Sequence, residues 1–422
     1  MKTIFTAIIM LLIILKLNFF YLLKVPQGIS EFNSDHQNIL LVIIILVSLT
    51  FFFTFMLKKP QLYPLGSIVI LFLMLFFLEM LFSTFRYNQP LFDVIISGNY
   101  SLVFGMYFIT LYYLYTNKAY HKLVNFLIVC SVILTSLFII QYFLLNRGVI
   151  FLNLTLDRLR FGEYRIYQLG DFVNFMVVIA AGVLLKGKEK ISKKNYYLTI
   201  ACLLLGVFHI IFVAKTRSAL VIVILSIFIM MIYKWRKDIL KFVVGTASLS
   251  IIIILFSLTP TAKAYVESFG VYDASVSARE RAIDLYMSQF YENPLLGMGF
   301  IRGVEGTDLY YLLRGTSGNL TRTDVGFIGY LNTFGIIGAI LFVLLFFKVF
   351  RVILFLISKK IMINYLEVLG LFGFFTLSSV NLIAFDPQRI FYFVLYLSFV
   401  SYIYYINKYH NESKVKFQYE KP

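Results

Sequence analysis

Arginine and acidic side chains recur in the polar stretches that separate this chain's long apolar runs. Lys215-Thr216-Arg217-Ser218 is a very short turn between two such runs. Ser277-Ala278-Arg279-Glu280-Arg281 opens a stretch whose apolar residues Ile283, Tyr286, Met287 and Phe290 recur at helical spacing. Arg322-Thr323-Asp324-Val325-Gly326 stands where a polar segment gives way to an apolar one. Arg160 and Arg165 lie in the polar stretch Asp157-Arg158-Leu159-Arg160-Phe161-Gly162-Glu163-Tyr164-Arg165. A guanidinium is a planar donor fork that grips phosphate or carboxylate through paired hydrogen bonds. Charges held close to a bilayer are costly, so they are usually paired or functional. The set suits a ligand carrying phosphate. Asp324 and Glu280 are carboxylates that could take a proton from a reacting hydroxyl. Each has a plainer reading too: Asp324 as a helix N-cap, Glu280 and the loop arginines as solvated, locally paired charge, and Lys215 as a side chain snorkelling to the interface.

The elements that must position these residues follow from composition. Of 422 residues 60% are hydrophobic and 14% charged, against about half and about a quarter in soluble domains. No soluble fold buries that much apolar surface, so the chain is expected to be an all-α, polytopic transmembrane bundle. Twelve apolar runs are long enough to be candidate spans: 4–23, 39–57, 65–85, 94–115, 123–145, 170–185, 196–214, 218–233, 242–258, 325–347, 365–384 and 389–406. The first carries Lys16 and Asn18 and lacks a small-residue cleavage site, so it reads as a retained helix. The sixth and eighth are short, as tilted or broken helices would be. The expected organisation is a bundle at 1–258, an external loop at 259–324 with a helix at about 277–293, three further spans at 325–406 and a basic tail at 407–422.

Charge bias gives the orientation. With both termini in the cytoplasm, the short inner segments collect most of the basic residues, and all but Arg236 and Arg351 of these are Lys. The outer segments hold Arg86, Arg147, Arg158, Arg160, Arg165, Arg217, Arg279, Arg281, Arg302, Arg314, Arg322 and Arg389. The orientation rule does not distinguish Lys from Arg, so this external bias toward Arg points to chemistry. External acids such as Glu163, Asp171, Glu280, Asp284 and Asp324 balance it, which makes the outer face a mixed polar site.

Within the long loop, Ser277-Ala278-Arg279-Glu280 reads as a capping box, opening a helix that Pro294 ends. Arg279 and Arg281 fall about 200° apart on such a helix, too far to face one ligand. The glycines of Asn293-Pro294-Leu295-Leu296-Gly297-Met298-Gly299-Phe300 permit tight turns or close backbone approach to a ligand. External Tyr272, Tyr286, Tyr291, Tyr310 and Tyr311 suit either sugar stacking or an interfacial aromatic belt. Glu79 and His209 lie inside spans and read as packed or hydrogen-bonded helix contacts. Cys130 and Cys202 sit in apolar runs, and the four histidines are scattered. The chain is therefore expected to use neither a metal nor another cofactor, and to bind no nucleic acid.

AKTRSALVIVIL (214–225), SARERAIDLYMSQFYENPLLGMGF (277–300) and TRTDVGFIGYLNTFGIIG (321–338) together make the chain resemble the bacterial O-antigen polymerase and ligase superfamily. The resemblance covers the second half in sequence and the first half only in topology. It implies a metal-independent glycosyltransferase of the GT-C type. Such an enzyme works at the outer face of the plasma or inner membrane on undecaprenyl-pyrophosphate-linked oligosaccharide repeat units, with a chain-length regulator as a further partner. Arg217 and Arg279 match arginines expected to hold pyrophosphate, and Arg160 or Arg165 would assist them. Lys215, Arg281 and Arg322 complete the expected basic set, with Asp324 or Glu280 as base. Ligases of this family carry a His where this chain reads Thr323-Asp324-Val325-Gly326, so the resemblance favours the polymerase branch (Wzy-type). The alternatives are an O-antigen ligase, a non-enzymatic flippase of lipid-linked oligosaccharides and a cell-wall glycan polymerase.

Overall fold

Helix follows the apolar runs closely. The computed structural model describes residues 9–14, 17, 63–145, 147–154, 164–187, 189, 191–247 and 274–419, with backbone alone at 274–276 and 410–419. The runs 4–23, 39–57 and 242–258 lie largely outside these residues. The other nine runs all carry helices, and the described residues include no strand. Among the described residues, seven helices are long and apolar enough to span a bilayer. They are α1 (Gly66–Tyr87), α2 (Leu91–Asn117), α3 (Tyr120–Leu145), α5 (Lys193–Val213), α6 (Arg217–Trp235), α9 (Phe327–Ser358) and α11 (Ile390–Tyr419, of which Ile390–Tyr409 is the apolar part). Two shorter apolar helices are α4 (Gly170–Leu185) and α10 (Leu366–Ser378). In the polar loop before α9 lie α7 (Ala274–Glu292) and the single turn-pair α8 (Asp308–Arg314). The protein is a multi-pass helical membrane protein.

α4 and α10 are largely interior. Every residue of α4 from Gly170 to Val183 is buried, and a helix apolar on all sides belongs in a core. α4 packs against α5, α6 and α10. At its C-terminal end Gly182 lets the α10 backbone approach, since a Cβ there would overlap the Glu367 main chain. Lys186 then reaches Glu367 at 2.5 Å, and Tyr120 donates to the same Oε1 at 2.6 Å. This buried knot ties α3, α4 and α10. Removing one partner leaves a buried charge without compensation, at a cost of about 3–5 kcal/mol. Glu367→Ala is expected to lower the thermal midpoint in detergent sharply. A Lys186→Met, Glu367→Leu double variant should recover most of that loss, and a midpoint for Glu367→Ala matching wild type would refute the assignment.

α9 is two helices fused across a break. Gly335 has φ 58 and ψ −162, a conformation that only glycine holds without strain. The freed backbone groups are taken up by the loop that precedes the helix. Met298 N–H donates to Asn332 C=O at 2.7 Å and Gly299 N–H to Thr333 C=O at 2.9 Å. In return Ile336 and Ile337 N–H donate to the Pro294 and Leu295 carbonyls. Unsatisfied backbone groups are not tolerated at membrane depth, so a broken helix needs such a partner. The glycines at 297 and 335 thus serve close approach between two parts of this chain.

The expected helix in the loop is present, but it does not begin where the capping box was read. α7 already runs from Ala274, so Ser277 lies within its first turns. Its end at Glu292, ahead of Pro294, is as expected. The apolar stripe packs on the start of α9: Ala282 and Tyr286 cluster with Leu320 and Val325, and Ile283, Leu285 and Ile328 pack around them. Asn332 donates to the Tyr286 carbonyl and to Gln289 Oε1, both at 3.0 Å, and Gln289 donates to the Leu312 carbonyl at 2.6 Å. Helix, loop and span are therefore fastened by buried polar contacts as well as by packing.

Candidate active site

The polar segments that charge bias assigns to the outside meet one another in the fold. Arg86 donates to the Gly297 carbonyl at 3.3 Å, Ser97 to the Ile301 carbonyl at 2.8 Å, and Arg302 pairs with Asp93. Ile166 N–H donates to the Val213 carbonyl at 3.1 Å, which brings the Arg165 segment beside the Lys215–Arg217 turn. Among these segments lies a cavity of about 270 Å³. Ser97 and Tyr100 of α2 form one wall, and Gly299 to Ile301 another. Arg314, Thr321, Arg322 and Thr323 come from the end of the loop, with Tyr330 and Thr333 from the first turns of α9. Phe385, Asp386 and Pro387 close it from the turn before α11.

Arg322 is the principal charge of the cavity. It opens a 3-10 turn, Arg322–Val325, that leads into α9. Gly329 lets this turn lie on the helix, because a Cβ there would overlap the Arg322 carbonyl oxygen. Arg322 Nη1 donates to the Gly299 carbonyl at 3.0 Å. Nε and Nη2 are shielded from solvent and have no partner among the described residues. Burial lowers the pKa of the guanidinium from its ordinary value, which records the cost of a charge without a counter-ion. An anion entering the cavity would supply that counter-ion. Arg314 lies at the exposed rim over the Tyr310 ring, 5.5 Å from its centroid.

None of the other expected site residues among the described residues lines the cavity. Lys215 is 3% exposed, adopts φ 52 and lies 5.6 Å from the Tyr142 ring centroid. Arg217 begins α6. Arg165 stacks on Tyr167 at 5.7 Å. Arg279 and Arg281 are on different faces of α7, Arg279 half-buried and Arg281 exposed, and neither lines the cavity. Glu280 is exposed on the same helix. Asp324 is exposed and accepts a 2.6 Å hydrogen bond from Thr321 Oγ1, one residue beyond the cavity wall. Arg160 lies outside the described residues. Tyr286, read as a possible sugar-stacking ring, is buried and donates to the Leu313 carbonyl at 2.9 Å. Glu79 and His209 are packed inside the bundle as expected, His209 against Phe138.

A second cluster was missed in the sequence. Arg389 and Asp171 form a buried ion pair, Nη2 to Oδ1 at 2.8 Å, each 4% exposed. Asp386 Oδ2 approaches Arg389 Nη1 at 3.6 Å from the cavity side. The available signal was a charged pair in the short turn 385–389 between two apolar runs, the same pattern that singled out Lys215 and Arg217.

Comparison with known families bears on the loop and the helices around it. A family model for O-antigen ligase matches residues 199–343. Over that segment the chain is similar to the O-antigen ligase family. The matched segment is about a third of the chain and includes Lys215, Arg217, Arg279, Arg281, Arg322 and Asp324. Asp171, Asp386 and Arg389 lie outside it. No curated protein matches the chain significantly. The similarity is to an enzyme family of O-antigen processing, which works with lipid-linked glycans in a bilayer.

Proposed function

We propose that the protein is the polysaccharide polymerase of such a system. It would transfer a growing undecaprenyl-pyrophosphate-linked glycan onto the next lipid-linked repeat unit at the outer face of the plasma or inner membrane. The carrying observation is Arg322, which lines the cavity and has two donor nitrogens unpartnered among the described residues. In this reading the acceptor hydroxyl attacks the anomeric carbon while the bond to undecaprenyl pyrophosphate breaks. Charge grows on the leaving pyrophosphate, so a fixed guanidinium stabilises the transition state more than the ground state. Arg322 and Arg314 would hold the pyrophosphate within the cavity. Lys215, Arg217, Arg165, Arg279, Arg281 and Arg160 would draw and orient the diphosphate headgroups around it. Arginine would supply the charge neutralisation without a metal, in the manner of a GT-C glycosyltransferase. A carboxylate would take the hydroxyl proton, with Asp324 and Glu280 as the candidates the sequence offers.

The ligase reading is favoured by the description of the matching family. Against it, none of the described residues lining the cavity is a histidine, and the position where the resemblance expects one is Asp324. Deletion in the native host separates the readings, with surface and lipid-linked glycans resolved on a gel. A ladder collapsing to a single repeat unit is the expected result. Full-length polymer stranded on its lipid carrier would mean a ligase. A single unit held on the cytoplasmic side would mean a flippase and would sink the proposal.

A further inference from the structure

We infer that Asp386, ahead of Asp324 and Glu280, takes the proton from the acceptor hydroxyl, and that the buried Asp171–Arg389 pair positions it. This inference rests on the glycosyl-transfer reading above. Of the three carboxylates, only Asp386 lines the cavity that holds Arg322. Its side chain is 12% exposed, whereas Asp324 and Glu280 are exposed. A base must reach the hydroxyl directly or through one water, and a group inside the cavity meets that condition.

The surrounding structure fixes Asp386 firmly. Its neighbour Phe385 is buried in an aromatic cluster, 4.7 Å from the Phe72 ring and 5.3 Å from both Phe104 and Tyr330. Its own carbonyl accepts from the N–H groups of Arg389 and Ile390, both at 2.9 Å, which seats the turn on the start of α11. Arg389 lies between two carboxylates and is closer to Asp171, 2.8 Å against 3.6 Å. Asp386 is therefore only partly neutralised and keeps its basicity. The charged and titratable groups around it are Arg389 and Asp171 behind, Asp324 and Arg322 from the re-entry turn, and Tyr100 from α2. Burial raises its carboxyl well above the usual carboxylate range; Arg389 opposes this, and Asp171 and Asp324 add to it. A raised pKa brings a base closer to the working pH.

The step balances simply. The acceptor O–H bond breaks and its proton passes to a carboxylate oxygen of Asp386. The oxygen's electron pair forms the new bond to the anomeric carbon. The electron pair of the old bond leaves on the pyrophosphate held by Arg322. The ionised carboxylate is the active form, so the rate should rise with pH along a limb lying above the ordinary carboxylate range.

The test uses the full chain in membranes of a deletion strain. The substrate is a lipid extract of that strain, which would carry its unpolymerised lipid-linked units, and chain extension is followed across pH. Asp386→Asn is expected to lower the rate by roughly 10²–10⁴-fold and to abolish the acid limb, with binding of the lipid-linked unit retained. Asp386→Glu should keep part of the activity together with the limb. Asp171→Asn should move the limb to lower pH. It removes a like charge and frees Arg389 to pair with Asp386, and both effects favour the ionised form. Asp324→Asn should keep the limb but move it to lower pH, because it removes a like charge facing Asp386. An Asp386→Asn rate within threefold of wild type, or a limb that survives it, overturns the assignment. If Asp386→Asn is not recovered folded, an unmoved limb in Asp171→Asn overturns it instead. A wild-type protein that extends no chain would overturn the polymerase reading itself, a separate outcome.

Discussion

Replacing Arg322 by alanine is expected to reduce chain extension by about 10²–10³-fold, the range seen when one fixed donor to a developing oxyanion is removed. Two nitrogens of the Arg322 guanidinium are enclosed, whereas Arg314 and Arg281 are exposed. Water screens an exposed charge and weakens its pull on a ligand. The buried one acts at fuller strength, and its direction is set by the bond from Nη1 to the Gly299 carbonyl. Arg322→Lys should recover only part of the loss, because an ammonium cannot keep the Gly299 bond and present two further donors in one plane. Arg281→Ala should change the rate by less than tenfold. The measurement is the distribution of glycan lengths made by each variant at matched protein level. An Arg322→Ala variant with a wild-type ladder would remove the central support for pyrophosphate binding in this cavity.

The second large effect is on folding. Gly335→Ala places a Cβ where it would overlap the Leu295 carbonyl oxygen, in a backbone conformation alanine resists. The conformation alone costs about 1–3 kcal/mol, and the overlap adds to it by pushing the 294–299 segment off α9. The thermal midpoint in detergent should fall well below wild type, with loss of activity in the same variant. Ile336→Ala, next in sequence but half-exposed and able to keep its backbone bonds, should shift the midpoint far less. Equal midpoints for the two variants would show that the break is not a structural requirement.

Much of the fold was legible because a bilayer imposes simple rules. Apolar runs long enough to span it became helices, and the polar stretches assigned to one side came together. The short runs read ambiguously because length alone does not separate a broken span from an interior helix. The burial of α4 from Gly170 to Val183 decides that, and it depends on neighbours. The capping box failed for a related reason. A Ser three residues ahead of a Glu is compatible with a helix start, but nothing local forbids the helix from beginning earlier, as α7 does. The glycines at 297 and 299 read as allowing tight turns or close approach to a ligand, whereas what approaches them is the rest of this chain, at Asn332 and Ser83.

The site was legible only in part. Arg322 stood out by residue type and position. Asp171 and Arg389 did not, because their contact joins residues 218 apart in sequence. Neither residue has a periodic or motif-like surrounding that would mark it. Asp386 follows an apolar run and precedes a proline, a context that reads as an ordinary turn. Its importance comes from the cavity, whose walls are drawn from α2, the loop, α9 and the turn before α11.

The exchange of hydrogen bonds between residues 294–299 and the broken helix has a consequence for anyone recombining these enzymes. The loop and the first half of α9 complete each other's backbone, so they are inherited as one block. A chimaera cut anywhere between Phe300 and Asn332, even near Gly306 where a Cβ meets open space, would draw the two halves of this exchange from different parents. Glycan preference carried by this region should therefore transfer between relatives only when the crossover respects that seam.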